Sequence, residues 1–298
     1  MGQKKLLQSL DIKNFIKKNS FEFIDSEIVA TTNLSKAFGC ICEKFTLNNG
    51  KKFVLKYQNS EDAKKYPSIY YEGKSIEKLN KLFNELFPKI FHIEKNFFIM
   101  NWIEHNNEVN NESESELAFK LSKLHLIKNN EFGYEFNSPI GGLEQPSSYE
   151  KSWINFYKIK RLQMIFDVIN NRNPMPKNLN RSIQKIIDNL EKFIPECNSP
   201  SLIHGDLWSG NILYNNGKLA GLIDPSIYFA NNELELSSLS FLNVVSNKFF
   251  EKYSQYIEIE SGFKERLGIY ELYYCLLNIH LWSRSYINYA EQIVKKYI

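Results

Sequence analysis

Apolar positions tend to alternate with polar ones in the first third of the chain and to recur every three to four residues in most of the remainder. Leu6, Leu7, Leu10, Phe15 and Ile16 share one face of a predicted first helix, which Asn19-Ser20 ends. Residues 21–31 and 37–47 read as strands, Asn48-Asn49-Gly50 turns the chain, and Lys51 to Tyr57 returns it as a third strand. A helix carrying Ile69, Ile76, Leu79 and Leu82 follows, then two strands near residues 90–93 and 97–103. A polar, acidic stretch over 106–115 leaves this region. Beyond it, helices are predicted over 117–127, 153–169, 183–193, 234–245 and 265–286, with a long loop over 129–148. The pattern predicts an α+β chain in two lobes: a small antiparallel-sheet lobe, 1–104, and a mostly helical lobe, 105–298.

Composition narrows the class. With 298 residues, 43% of them hydrophobic, the chain can bury a sizeable core. The net charge is +3 and the lysines are spread out, so nucleic-acid binding is not expected and a small anionic ligand suffices as partner. Cys40, Cys42, Cys197 and Cys275 form no CxxC pair, which argues against a disulfide scaffold and for a reducing, cytoplasmic setting. No apolar run reaches membrane-spanning length, and Asp11 and Lys13 interrupt the start in a way signal peptides do not. No membrane partner is expected, and the chain is expected to be a monomer or weak homodimer.

The segment His204-Gly205-Asp206-Leu207-Trp208-Ser209-Gly210-Asn211, followed after a hairpin by Leu222-Ile223-Asp224-Pro225, changes the picture most. A kinase-type site uses an Asp to accept the proton of the attacking hydroxyl, an Asn five residues on to hold Mg²⁺, and a second Asp after the next hairpin as a further metal ligand. Asp206, Asn211 and Asp224 occupy those places, and Asn215-Asn216-Gly217-Lys218 supplies the turn between two short strands. Such sparse oxygen ligands suit Mg·ATP better than zinc. The strand order of the first lobe is that of the small lobe of a protein-kinase-like fold.

The nucleotide end is read from position along this pattern. Lys56 closes the apolar strand Phe53-Val54-Leu55, as a phosphate-gripping lysine does, and Glu72 on the following helix is its expected partner in preference to Glu77. Met100, Asn101 and Trp102 end the fifth strand where backbone groups would meet adenine. A phosphate-covering loop is expected over 31–36; it contains no glycine, so Thr32, Asn33 and Ser35 would serve through hydroxyls and backbone N–H groups. No GxxxxGK[ST] is present, which excludes a Walker-type site. His125 and His204 are expected to organise the catalytic segment rather than act as bases. Tyr270, Tyr273, Tyr274 and Trp282 have helical spacing and are expected in the core.

These residues resemble the fructosamine kinases (ketosamine-3-kinases) of the aminoglycoside phosphotransferase and protein-kinase-like superfamily. The HGDLWSGN signature is matched without change at 204–211. The likeness extends through Phe132-Gly133, Ile140-Gly141, Gln145, Trp153, Phe156-Tyr157, Arg161-Leu162, Asp224-Pro225, Tyr228, Glu233, Arg266-Leu267, Tyr270, Leu272 and Tyr286. It implies a two-lobed kinase-like enzyme using ATP and Mg²⁺ to phosphorylate the 3-hydroxyl of a free or protein-bound ketosamine, a step toward deglycation. It further implies Asp206 as base, Asn211 and Asp224 as metal ligands, Lys56 with Glu72 as phosphate anchor, and Trp208, Gly141 and Glu233 toward the substrate.

Several positions depart from that family's pattern. Its usual Gly-Gly stands as Thr31-Thr32, its Gly-His-Arg as Ala230-Asn231-Asn232, a usual Asp as Glu235, and its Phe-Gly-Gly as Phe241-Leu242-Asn243. The changed 230–235 segment keeps open an aminoglycoside or amino-alcohol acceptor, and the glycine-free loop keeps open a catalytically silent nucleotide-binding module.

Overall fold

The computed structural model describes residues 11–298, so Leu6, Leu7 and Leu10 of the expected first helix lie outside the described residues. Helix α1 (Ile12–Asn19) is capped by Asp11, whose side chain accepts from the Asn14 N–H at 3.2 Å, and buries Ile12 and Ile16. Five strands follow: β1 (Ile28–Ala37), β2 (Cys40–Leu47), β3 (Lys52–Gln58), β4 (Ile90–Glu94) and β5 (Phe97–Asn101). They form one sheet in the order β1-β2-β3-β5-β4, every neighbouring pair antiparallel. Helices α2 (Ser60–Lys65) and α3 (Ser68–Leu82) lie between β3 and β4 in sequence.

The period-two alternation divides this sheet into two faces. Ile41, Phe45, Phe53, Leu55, Tyr57 and Ile99 pack with α1 on one face. Val54, Phe98 and Met100 pack with Ile69 and Ile76 of α3 on the other, with Cys40 and Cys42 beside them. Lys56 shares the parity of Val54 and therefore points to the α3 side.

The expected loop over 31–36 is strand instead. Residues of β1 pair with β2 as far as Ala37 opposite Cys40, with register shifts between Ile28 and Ala30 and between Asn33 and Ser35. The turn is Phe38-Gly39, with φ of 51° and 80°, both positive as a two-residue primed hairpin demands. Gly39 makes that turn inexpensive, so the phosphate-side hairpin is not glycine-free.

The second lobe begins with α4 (Ser113–His125) and the short hairpin β6 (Ser138–Ile140) and β7 (Leu143–Gln145). The long loop expected over 129–148 thus carries structure, turning at Gly141-Gly142. The helix expected over 153–169 is a single rod of α5 (Trp153–Tyr157), a π-helical turn (Lys158–Gln163) and α6 (Met164–Arg172). Arg161 in that turn is buried, its guanidinium 3.9 Å from the Tyr228 ring centroid and 2.8 Å from the Pro146 carbonyl. Next come α7 (Lys177–Asp188), β8 (Ser201–Ile203), β9 (Ile212–Asn215), β10 (Lys218–Leu222) and β11 (Tyr228–Ala230). The chain ends with α8 (Glu233–Phe241), α9 (Asn247–Tyr253), α10 (Phe263–Leu281) and α11 (Ile287–Val294). Helix α10 is buried almost all round and forms the axis of the large core. No described helix is long and apolar enough to cross a membrane.

The link between lobes is bonded to the β9–β10 hairpin. Asn106 and Asn107 both donate their N–H to the Tyr214 carbonyl, Gly217 donates to Glu108 at 3.0 Å, and Ser113 donates to the Gly217 carbonyl at 2.7 Å.

Phe98, fully buried, sits so close to Gly73 of α3 that a Cβ there would lie 3.1 Å from its ring. Phe98→Ala is expected to cost about 3–5 kcal/mol of stability, the usual loss for emptying an aromatic core site. Urea denaturation would measure it, and a loss below about 1 kcal/mol would contradict the packing of α3 on the sheet.

Candidate active site

A cleft of about 840 Å³ opens between the lobes. Its centre is the Lys56 ammonium, which lies 2.7 Å from Glu72 Oε1 of α3 and 3.0 Å from Asp224 Oδ2, just beyond β10. Glu77, the other candidate partner, pairs instead with Lys74 and Lys81 at the surface. Burial alone would lower the Lys56 pKa, but Asp224 and Glu72 outweigh it and hold the group well above its ordinary value. Burial pushes the Glu72 carboxyl up to about 8 against the pull of Lys56, with Asp224 adding to the rise.

The 204–211 segment, expected to be catalytic, leaves β8 through His204 and reaches Asn211 by one 3-10 turn, Ser209–Asn211. Asn211 donates its side-chain N–H to the Asp206 carbonyl at 2.8 Å, and its own carbonyl accepts from the Ile223 N–H at 3.0 Å. Asp206, Asn211 and Asp224 are thereby tied together at the cleft. Asp224 has φ of 54°, a left-handed conformation uncommon outside glycine and typical of strained functional positions. Burial and then the Asp224 carboxylate push the Asp206 carboxyl up to about 7.

Behind this segment Glu235 of α8 accepts the backbone N–H groups of Gly205 at 2.7 Å and His204 at 3.1 Å. His125 lies 2.9 Å from Glu235 through Nε2 and 2.6 Å from the Tyr253 hydroxyl through Nδ1. Asn232 donates to that hydroxyl at 2.8 Å. Because a carboxylate only accepts, the chain of donors runs Asn232 to Tyr253 to His125 to Glu235. Burial opposes the Glu235 charge, but these donors keep its carboxyl below the usual range. His204 is buried and held neutral, its pKa lowered chiefly by burial.

Other expected site residues divide between the cleft and elsewhere. Ser35, Lys56, Glu72, Met100, Asn101, Trp102, Gly141 and Trp208 line it. Thr32 and Asn33 do not; they sit in the edge strand β1, paired opposite Lys44 and Glu43. Glu233 does not face the substrate side either. It is buried in a two-pronged ion pair with Arg266, 2.9 Å from Oε2 to Nε, and so joins α8 to α10. Trp282, expected in the core with the α10 tyrosines, is 62% exposed and lines the cleft, because α10 ends at Leu281. Sequence reasoning missed Phe38 and Leu34 of the cleft wall and the clamp by Glu235, although His125 and Glu235 were each visible as unusual residues near the motif.

Asn211 and Asp224 offer the hard oxygens that Mg²⁺ prefers, and Asn211 commits its N–H to Asp206, so its side-chain oxygen remains an acceptor for a cation. Among the described residues no cluster of three or more His, Cys, Asp or Glu could hold a metal by itself. All four cysteines are unpaired.

A family model for fructosamine kinases matches residues 13–298. The chain belongs to the fructosamine kinase family. Among relatives, a probable ketoamine kinase of Vibrio parahaemolyticus is 24% identical over 279 residues, 91% of this chain and 94% of that one. The chloroplastic protein-ribulosamine 3-kinase of Arabidopsis thaliana is 28% identical over 207 residues, 68% of this chain and 62% of the relative. The crystal structure of a provisionally named fructosamine-3-kinase from Thermobifida fusca matches at a TM-score of 0.82 with 19% identity, covering 95% of this chain and 98% of that one. ADP-bound aminoglycoside phosphotransferase APH(2'')-Ib matches at 0.62 with 14% identity, covering 96% and 98%. The two-lobed α+β kinase-like fold is thus shared across both groups. In this member of the fructosamine kinase family Glu235 takes up the backbone of the catalytic segment.

Glu235→Gln would turn an amide N–H toward a backbone N–H or His125, leaving a buried donor unmatched. About 1–3 kcal/mol of stability loss is expected, read as a lower urea midpoint, and an unchanged midpoint would deny the clamp. Asp206 gives a pH test. Its folded pKa, near 7, lies above the ordinary value of 3.8, so its ionisation opposes folding as pH rises between those values. The melting temperature of Asp206→Asn, in chelator without nucleotide, should exceed that of the parent by a margin growing from about pH 4 to 7 and level above. A margin independent of pH would rule out the raised pKa.

Proposed function

We propose that this protein is an ATP-dependent phosphotransferase that phosphorylates the 3-hydroxyl of ketosamines, fructosamine or ribulosamine adducts on small or protein-borne amines. The observation that carries this reading is the meeting of Lys56 with both Glu72 and Asp224, at 2.7 and 3.0 Å, beside an Asp206 tied to Asn211. Family membership and the ribulosamine kinase relatives support the acceptor class. Nucleotide binding is assigned to the lobe over 1–104 and acceptor binding to 105–298.

Mg·ATP, when bound, supplies the phosphoryl group and the metal charge that shields it. Asn211 and Asp224 would hold the metal and Lys56, fixed by Glu72, the phosphates, while the 100–102 backbone would meet adenine. Ser35 would stand near the phosphates in the hairpin that turns at Phe38-Gly39. Asp206 orients the acceptor hydroxyl and takes its proton, and Trp208 and Gly141 flank the sugar. A cation held by Asn211 and Asp224 would draw the Asp206 pKa down from about 7 and so favour its basic form at neutral pH. The cysteines, all reduced, suit the cytoplasm.

An aminoglycoside acceptor is disfavoured by charge. The acidic residues among those lining the cleft are Glu72 and Asp224, both paired with Lys56, and Asp206, the proposed base, which leaves no further carboxylate there for a polycation. A silent module is disfavoured by the assembled Lys56, Asp206, Asn211 and Asp224.

With a fructosyl or ribulosyl amine as acceptor, Asp206→Asn is expected to lower kcat by about 10²–10⁴-fold while Mg·ATP affinity changes little. ADP release and nucleotide titration measure the two. Parent enzyme that binds Mg·ATP yet phosphorylates gentamicin-type acceptors and no ketosamine would replace this reading with the aminoglycoside one.

A further inference from the structure

Aromatic rings from three separate elements close the acceptor side of the cleft. Phe38 is at the tip of the β1–β2 hairpin, Trp208 in the catalytic segment and Trp282 just past α10, and all three line the cleft. The Phe38 and Trp282 rings meet edge to face with centroids 5.2 Å apart, and Trp282 meets Trp208 at 6.5 Å. Phe38 and Trp208 remain 40% exposed and Trp282 62%, which core packing does not explain. Exposed aromatics gathered at the rim of a cleft point to a ligand.

The frame around them is tight. A Cβ on Gly142 would lie 2.8 Å from the Phe38 carbonyl oxygen, one on Gly141 2.7 Å from Leu281, and one on Gly210 2.4 Å from the Trp208 ring. Pro139, Ile140, Leu242 and Leu277 complete this side without charge. The nearest carboxylates are already committed: Glu72 and Asp224 to Lys56, and Asp206 to the acceptor proton.

A ketosamine carries a secondary amine on C1, two carbons from the C3 hydroxyl, and that amine is protonated at neutral pH. Bringing the hydroxyl to Asp206 therefore brings a cation into a cleft that Phe38, Trp208 and Trp282 line. Indole is the best of the side-chain rings at stabilising a cation that has no carboxylate partner.

We propose that Phe38, Trp208 and Trp282 form an aromatic subsite for the protonated amine of the acceptor, with Trp282 its main specificity residue. This rests on the ketosamine reading and deepens it. The subsite takes one ring from the first lobe and two from the second, so it is complete only when the lobes are together.

The test compares two acceptors, a fructosyl alkylamine and the uncharged 1-O-alkyl ether of fructose, with the parent, Trp282→Ala, Trp282→Phe and Phe38→Ala. Trp282→Ala is expected to raise KM for the amine about tenfold and for the ether less than twofold, with KM for ATP unchanged and Trp282→Phe recovering part of the loss. Because Trp282 is exposed, thermal melts of the Trp282 variants should overlay the parent, and Trp282→Phe carries the comparison if the alanine variant does not fold. An equal rise for both acceptors would make the ring mere apolar surface and overturn the proposal, as would no change with either. Parent enzyme that consumes ATP with neither acceptor would instead overturn the ketosamine reading, and the subsite with it.

Discussion

The ammonium of Lys56 is where both lobes converge, and its burial constrains everything around it. Desolvating a cation costs several kcal/mol, and only partners of opposite charge at hydrogen-bond distance offset it. One partner, Glu72, comes from the helix on the sheet; the other, Asp224, comes from the far lobe. Strand register must place residue 56 on the α3 face, and α3 must turn Ile69, Gly73 and Ile76 toward the sheet for Glu72 to arrive. A one-residue slip of β3 would turn the lysine to the α1 face, against an apolar cluster.

The catalytic segment is held by a different means. Its functional side chains face the cleft, while its backbone N–H groups at His204 and Gly205 are taken up from behind by Glu235. Burial first, and then repulsion from the Asp224 carboxylate, make Asp206 resist ionisation. The site is thus built short of positive charge, a deficit that a divalent cation would fill. Strain at Asp224 and the buried donor chain through His125 are part of the same preorganisation.

The pattern of elements was largely legible because periodicity is a local property: β2 to β5, α3 and the long C-terminal helices follow it, whereas the first strand, expected over 21–31, runs from Ile28 to Ala37 instead. The motif at 204–224 was legible because its spacing encodes a loop and a hairpin. Two kinds of feature were not. Thr32 and Asn33 read as loop from their place between two expected strands, yet an edge strand with its solvent side tolerates so polar a stretch. Glu233 and Trp282 depended on long-range geometry. Only the fold reveals that Arg266 lies opposite the former, or that α10 stops one residue before the latter.

The connection between the lobes has a mechanical consequence. Since Asn106, Asn107 and Glu108 are bonded to Tyr214 and Gly217, the pivot and the hairpin bearing Asn211 and Asp224 at its roots form one stiff floor. Opening the cleft would lift the roof, carrying Lys56 and Glu72 away as an intact couple. The bond that such a movement would break is the 3.0 Å contact from Lys56 to Asp224, the one ion pair of this cluster that joins the two lobes.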